Sequence, residues 1–339
     1  MLLLLVGVAS LSAQMPEDVK LYTIRTQADT IDFIRITNAE DESPRPVLIF
    51  LTGSLPIPLI IIDEGVSNIC PLSYLDGFDY KELSRRYHIV IISKPNTPVV
   101  KNIGELVGDY TVYVPDIAQP DKFDERYLEK NYLEYHVRQT SEVIDYIKQQ
   151  PWADKDRIIL LGHSQGAHVG AHVAMERPDI FAFGYFGGNP MGRFSQSVNE
   201  QVSAAKSGKK SAEAAQAEID DLYRFWEYIC RNPKVTLPSG DPAHTWRSFS
   251  RQYIDGLAGI KAPVFIAYGT EDPAGKQCVM LPIYFELAGK TDYRMRPFIG
   301  RGHDFEAVCP DGSHDYDDRQ WGVAMGEFIE WCEKIKTTN

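Results

Sequence analysis

The chain has 339 residues, a formal net charge of −12 at pH 7, and ordinary hydrophobic and charged fractions of 44% and 24%. That length suits one large α/β domain with insertions, or two small domains. The acidic balance speaks against nucleic acid and anionic membrane surfaces as partners, and no fixed-period repeat or low-complexity tract suggests a solenoid or a disordered chain.

The first signal is Leu2 to Leu11, an apolar run followed by Ser12-Ala13-Gln14. It is too short to span a bilayer, so stable membrane insertion is not expected. It fits the apolar region of a secretory signal peptide over residues 1–13, with cleavage near Ala13. The mature chain, 14–339, is then secreted or periplasmic. No basic segment precedes the run, and Leu11 stands where a small residue is preferred. The alternative is a buried first strand; the polar stretch Gln14 to Lys20 favours export.

Val19 to Thr26 and Thr30 to Thr37 alternate apolar and polar residues around a short turn, which predicts an antiparallel hairpin at a sheet edge. Pro46 to Leu51 is a continuous apolar run, the pattern of a strand buried on both faces. It ends in Thr52-Gly53-Ser54-Leu55. Ile57 to Ile62 is apolar but interrupted by Pro58, so a buried loop is expected there. Tyr74 to Tyr87 reads as a helix and His88 to Ser93 as another buried strand. Lys94 to Lys130 has no strong period and reads as an excursion over the sheet. Tyr132 to Gln150 has helical spacing and stops at Pro151.

Ile158 to Leu161 is a strand-type run that enters Gly162-His163-Ser164-Gln165-Gly166, and a small-residue helix leaves it. This is G-x-S-x-G between a strand and a helix, the context of a nucleophile elbow. Such a turn holds the serine in a strained conformation with Oγ exposed. Side chains two residues to either side would collide with strand and helix, and glycine removes them.

Ile180 to Phe186 is the next strand. Met191 to Leu257 then breaks the alternation, with helical stretches over Ser203 to Cys230 and about Thr245 to Asp255. We read this segment, 191–257, as a helical cap. Ala262 to Tyr268 returns to the sheet, Gly275 to Ala288 is helical, Tyr293 to Ile299 is a strand, and Arg319 to Lys336 is a closing helix. Strands alternating with helices predict a mostly parallel sheet covered on both faces.

A serine hydroxyl needs a base, and the base needs an orienting group. After an elbow these follow in the order serine, acid, histidine. Asp272, after the strand ending at Tyr268, is the acid candidate, with Glu271 as the neighbour to exclude. The strand after the elbow helix offers Asn189 and no carboxylate. His303, after the strand ending at Ile299, is the base candidate; His314, among Asp311, Asp315, Asp317 and Asp318, reads as part of a solvated loop. The oxyanion donors expected are the backbone N–H groups of Gln165 and Ser54, with Leu55 second to Ser54. His168 and His172, four apart, have metal-ligand spacing but lack an accompanying glutamate, so packing is the better reading. The acidic run Asp311 to Asp318 does not match an EF-hand loop. The five cysteines have no zinc-site spacing. Cys278 and Cys309 follow the two candidate loops, so a bridge between them and a pair of buried thiols are both open.

Taken together, Gly162-His163-Ser164-Gln165-Gly166, Tyr268-Gly269-Thr270-Glu271-Asp272 and Gly300-Arg301-Gly302-His303 resemble the motifs of the α/β-hydrolase superfamily, from about Val47 to the last helix. The resemblance implies an α/β fold with an eight-stranded, mostly parallel sheet, helices on both faces and a helical cap. It implies a Ser164–His303–Asp272 triad working through an acyl-enzyme, with neither metal nor organic cofactor. A small-molecule carboxylic ester is the expected substrate. Peptide cleavage, as in prolyl-oligopeptidase relatives, and a non-catalytic binding protein on the same fold are the alternatives. Substrate identity and oligomeric state are not readable.

Overall fold

The computed structural model describes residues 15–335, apart from 27–28, 38–41, 74, 236 and 238–239. The expected signal peptide, residues 1–13, lies outside the described residues. The strands in chain order are β1 (Val19–Arg25), β2 (Thr30–Ile36), β3 (Arg45–Leu51), β4 (Ile60–Asp63), β5 (Val66–Ile69), β6 (His88–Ile92) and β7 (Val100–Asn102). They continue with β8 (Ala153–His163), β9 (Ala182–Phe186), β10 (Val264–Gly269), β11 (Tyr293–Phe298), β12 (Glu306–Val308) and β13 (His314–Arg319).

Eight strands form one sheet in the order β1-β2-β6-β3-β8-β9-β10-β11. β1 pairs antiparallel with β2, and β2 with β6. The other five pairings, from β6 to β11, are parallel. The sheet is therefore mostly parallel with an antiparallel hairpin at one edge.

The apolar runs explain this placement. In β3, Val47, Ile49 and Leu51 face one core while Leu48 and Phe50 face the other. In β8, Ile158 and Leu160 divide from Ile159 and Leu161 in the same way. A strand side-chain period of two sends a continuous apolar run to both faces, and both must be covered. The helices Leu133–Ile147 and Gln165–Glu176 bury Val137, Val143, Ala167 and Ala171 on the first face. The closing helix Trp321–Lys334 buries Ala324, Met325 and Phe328 on the second.

Several local expectations change. Tyr74–Tyr87 is not one helix: the described helical pieces are Cys70–Ser73 and Tyr80–Leu83. Gly77 lies between them at φ +73°, a left-handed conformation that interrupts a helix. β4 starts at Ile60, beyond Pro58, and pairs with β5 and β7 in a small second sheet where a loop was expected. The Ser203–Cys230 stretch divides into Arg193–Lys206 and Ala212–Arg231. Gly208 breaks it at φ +75°, and the Ser211 side chain caps the second helix by accepting from Ala214 N. The Thr245–Asp255 stretch likewise divides into Ala243–Phe249 and Ile254–Gly259.

Residues 314–319 form β13, paired to β12, rather than a loop, while His314, Asp315, Asp317 and Asp318 are exposed as expected. All five cysteines are free, so Cys278 and Cys309 are not bridged. Cys278 is buried and donates to Gly188 O at 3.4 Å. Among the described residues, no helix is long and apolar enough to cross a membrane.

Candidate active site

Ser164 follows β8, near the middle of the sheet, and caps the helix Gln165–Glu176. Its backbone sits at φ +56°, ψ −121°, a conformation non-glycine residues rarely adopt. The glycines around it hold that turn. A Cβ on Gly162 would lie 2.1 Å from Gly166 O, and one on Gly166 would lie 1.9 Å from Leu51 O. Only hydrogen atoms fit between strand, turn and helix.

Asp272 and His303 come from the carboxyl ends of β10 and β11. His303 Nδ1 donates to Asp272 Oδ2 at 2.9 Å, and Asp272 Oδ1 accepts from Ala274 N at 2.9 Å. The two loops are stitched together: Glu271 N donates to Arg301 O at 2.9 Å, and Gly300 N to Thr270 Oγ1 at 2.9 Å. Glu271, the rejected neighbour, is exposed, whereas Asp272 is 1% exposed. Burial opposes charging of His303, but the Asp272 carboxylate and its hydrogen bond, with Asp304 and Glu306 nearby, raise it to about 9. Burial alone would raise Asp272; the charge and hydrogen bond of His303 hold it below the usual carboxylate value.

The backbone of the histidine loop is gripped from two sides. His163 Nε2 lies 3.1 Å from His303 O, and a carbonyl can only accept, so that nitrogen carries the proton. Burial and the nearby His303 keep His163 neutral to lower pH than usual. On the other side, Glu306 accepts from Asp304 N at 2.7 Å and from His314 Nδ1 at 2.6 Å. His314 thus braces the carboxylate that holds the His303 loop.

The segments expected to supply oxyanion donors adjoin the serine. A Cβ on Gly53 would be 3.9 Å from Ser164 Cβ. Behind them runs a buried polar chain. Lys94 Nζ, beyond the end of β6, donates to Gln165 Oε1 at 2.7 Å and to Thr52 O at 3.4 Å. Gln165 Nε2 donates to Asn131 Oδ1 at 3.0 Å, and Asn131 Nδ2 to Asp241 Oδ1 at 2.9 Å. Arg193 Nη1 closes the chain on Asp241 Oδ2 at 2.6 Å. Burial lowers Lys94 to about 7.

Two cavities meet at Ser164. The larger, about 280 Å³, is mostly apolar, with Phe50, Leu55, Ile57, Leu75 and Trp321 on its wall and His303 at its edge. The smaller, about 170 Å³, is polar. Ser54 and Ser164 line both. No hydrogen bond joins Ser164 Oγ to His303 among the described residues; without substrate, such contacts are often long.

The comparisons with known proteins agree with this architecture. The Abhydrolase family matches residues 119–229, which include the elbow. Among solved structures, the α/β hydrolase GrgF from a Penicillium species aligns over 94% of this chain and 99% of its own, with TM-score 0.54 and 11% identity. The chain has the α/β-hydrolase fold. A 2,6-dihydroxy-pseudo-oxynicotine hydrolase aligns over 88% of this chain and 66% of its own, with TM-score 0.52 and 15% identity. The acylaminoacyl peptidase of Pyrococcus horikoshii aligns over 95% of this chain but only 42% of its own, with TM-score 0.52 and 15% identity. No curated protein matches the sequence.

Within this fold, Lys94, Asn131, Asp241 and Arg193 are the residues that reading the sequence did not single out. The signal for Lys94 was present: a lysine ending the apolar strand run His88 to Ser93. The others carry no local mark. The paired histidines are packing residues: His172 Nδ1 bonds His168 O at 2.8 Å, and both rings lie against Tyr253.

Proposed function

We propose that this chain is a serine hydrolase that cleaves carboxylic esters through Ser164, His303 and Asp272. The observation that carries the reading is the 2.9 Å bond from His303 Nδ1 to the buried Asp272, with Ser164 on a strained turn beside the same cavity. With its Nδ1 proton committed to Asp272, His303 keeps Nε2 as the basic nitrogen.

Nε2 takes the Ser164 hydroxyl proton as Oγ bonds to the ester carbonyl carbon. The oxyanion is received by the N–H groups of Gln165 and Ser54. The tetrahedral intermediate expels the alcohol, which leaves with the proton from His303. Water then loses a proton to Nε2 as it attacks the acyl carbon, and the second tetrahedral intermediate expels Ser164 Oγ, which takes that proton back from His303 as the carboxylic acid leaves. Asp272 stays ionised and stabilises the imidazolium formed in both halves.

The apolar cavity of about 280 Å³ suits a hydrophobic group on one side of the ester bond. Amide cleavage is the second reading, because a peptidase shares the fold. Export through residues 1–13 is part of the proposal and rests on the apolar Leu2–Leu11 run.

Fluorophosphonate labelling tests the chemistry. Wild type is expected to label, Ser164→Ala to lose the label, and Asp272→Ala and His303→Ala to label slowly. Labelling that survives Ser164→Ala would remove the proposed nucleophile. Folded wild type that does not label would favour a binding role. Paired ester and anilide panels then separate ester from amide specificity.

A further inference from the structure

The polar cavity beside Ser164 has no role in the proton transfers above. Ser54, Ser164, Gln165, His168, Arg193 and Gln196 line it, so it opens from the nucleophile and from both expected oxyanion segments. Arg193 is the one charged side chain on its wall among the described residues. His168 adds no charge, because burial holds its imidazole neutral down to about 3.

The Arg193 guanidinium is fixed in place. One face lies over the Trp246 ring at 3.9 Å, and Nη1 donates to Asp241 Oδ2 at 2.6 Å. The other oxygen of Asp241 is taken by Asn131, and Asp241 does not line the cavity. Nε and Nη2 have no partner among the described residues, and the side chain is 32% exposed. A planar fork with one arm anchored and one edge free is arranged to receive two oxygens in its plane. The cavity offers no carboxylate to compete for that edge.

We infer that this cavity is a carboxylate subsite, and that the substrate carries an acid group on one side of its ester bond and an apolar group on the other. The inference rests on the hydrolase reading and names its substrate class. The apolar group occupies the larger cavity and the acid meets the free edge of Arg193. Asp241, Asn131 and Trp246 hold that edge in place, so little ordering is needed on binding.

Two ester pairs test this. Monobenzyl succinate is compared with its uncharged isostere benzyl succinamate. The phenylacetyl ester of glycolic acid is compared with that of glycolamide, which moves the acid to the alcohol side. The expected result is a kcat/KM for one acid about tenfold to a hundredfold above its amide partner, the range of a charge-assisted hydrogen bond. Arg193→Gln should remove most of that ratio, and Arg193→Lys should keep more of it. Circular dichroism checks that both variants fold, and the wild-type ratio is a test without any variant. Equal rates within both pairs would overturn the inference, as would a preference surviving folded Arg193→Gln or no turnover of either acid. Turnover of the amide partners, or fluorophosphonate labelling, would leave the hydrolase reading standing; loss of turnover and labelling together would take both down.

Discussion

Ser164 is held at φ +56°, and in the proposed mechanism the charge state of His303 decides whether its hydroxyl can react. His303 must be neutral to accept a proton. Its raised value, about 9, therefore places the acid limb of kcat/KM above the ordinary imidazole value of 6.5, with activity lost as pH falls through it. Asp272→Asn keeps the shape but removes the charge. The limb should then move down toward 6.5 while the plateau falls by about 10⁴. A pH–rate profile of both proteins measures this; an unmoved limb would mean that Asp272 does not set the base. Ser164, Asp272 and His303 could be singled out in the sequence because each follows a strand in a short motif. Asn131, Asp241 and Arg193 could not, since hydrogen bonds joining residues tens of positions apart leave no periodic trace.

At the scale of elements, the strand–turn–helix around Ser164 is constrained by packing rather than by propensity. Glycine is a poor helix residue, yet Gly166 and Gly170 both lie in the helix Gln165–Glu176. A Cβ on Gly166 would meet the Leu51 carbonyl at 1.9 Å, and one on Gly170 the Phe183 ring at 2.6 Å. Gly326, in the helix Trp321–Lys334, has nothing within 4 Å of such a Cβ. The two sites should respond with opposite signs. Gly166→Ala is expected to cost about 3 kcal/mol or more, because backbone must move. Gly326→Ala is expected to add about 0.5–1 kcal/mol. Urea denaturation gives both values, and a tolerated Gly166→Ala would show that the turn is looser than its geometry. Element type was legible wherever an apolar run was long, as in β3 and β8. Helix ends were not, because Gly77 and Gly208 break helices through left-handed backbone that composition alone does not announce.

Across the whole molecule, the candidate site residues gather at the carboxyl ends of the strands. β6, β3, β8, β10 and β11 end beside Lys94, Ser54, Ser164, Asp272 and His303, and the segment after β9 supplies Arg193. Lys94 and His303 also link stability to pH, with opposite signs. The lowered Lys94 binds its proton less tightly folded than unfolded, so its contribution to stability grows as pH rises above about 7. The raised His303 contributes stability that is lost as pH rises through about 9. Comparing wild type with Lys94→Met cancels the His303 part. From pH 7 to pH 9 the difference in unfolding free energy should shift by about 2 kcal/mol in favour of wild type. A pH-independent difference in urea midpoints would mean that Lys94 stays charged in the fold. The sequence by itself determined the alternation of strands and helices, the parallel sheet, and the three residues expected to carry the chemistry. Period-two apolar runs and glycine spacing are local properties, so they can be read along a chain. Only the tertiary structure decided that Lys94 bridges the segments behind Gln165 and Thr52, and that Arg193 meets Asp241 on the wall of a polar cavity. Each depends on where distant segments meet once the core is packed, and the hydrophobic pattern that drives packing does not encode which polar groups will face each other across it.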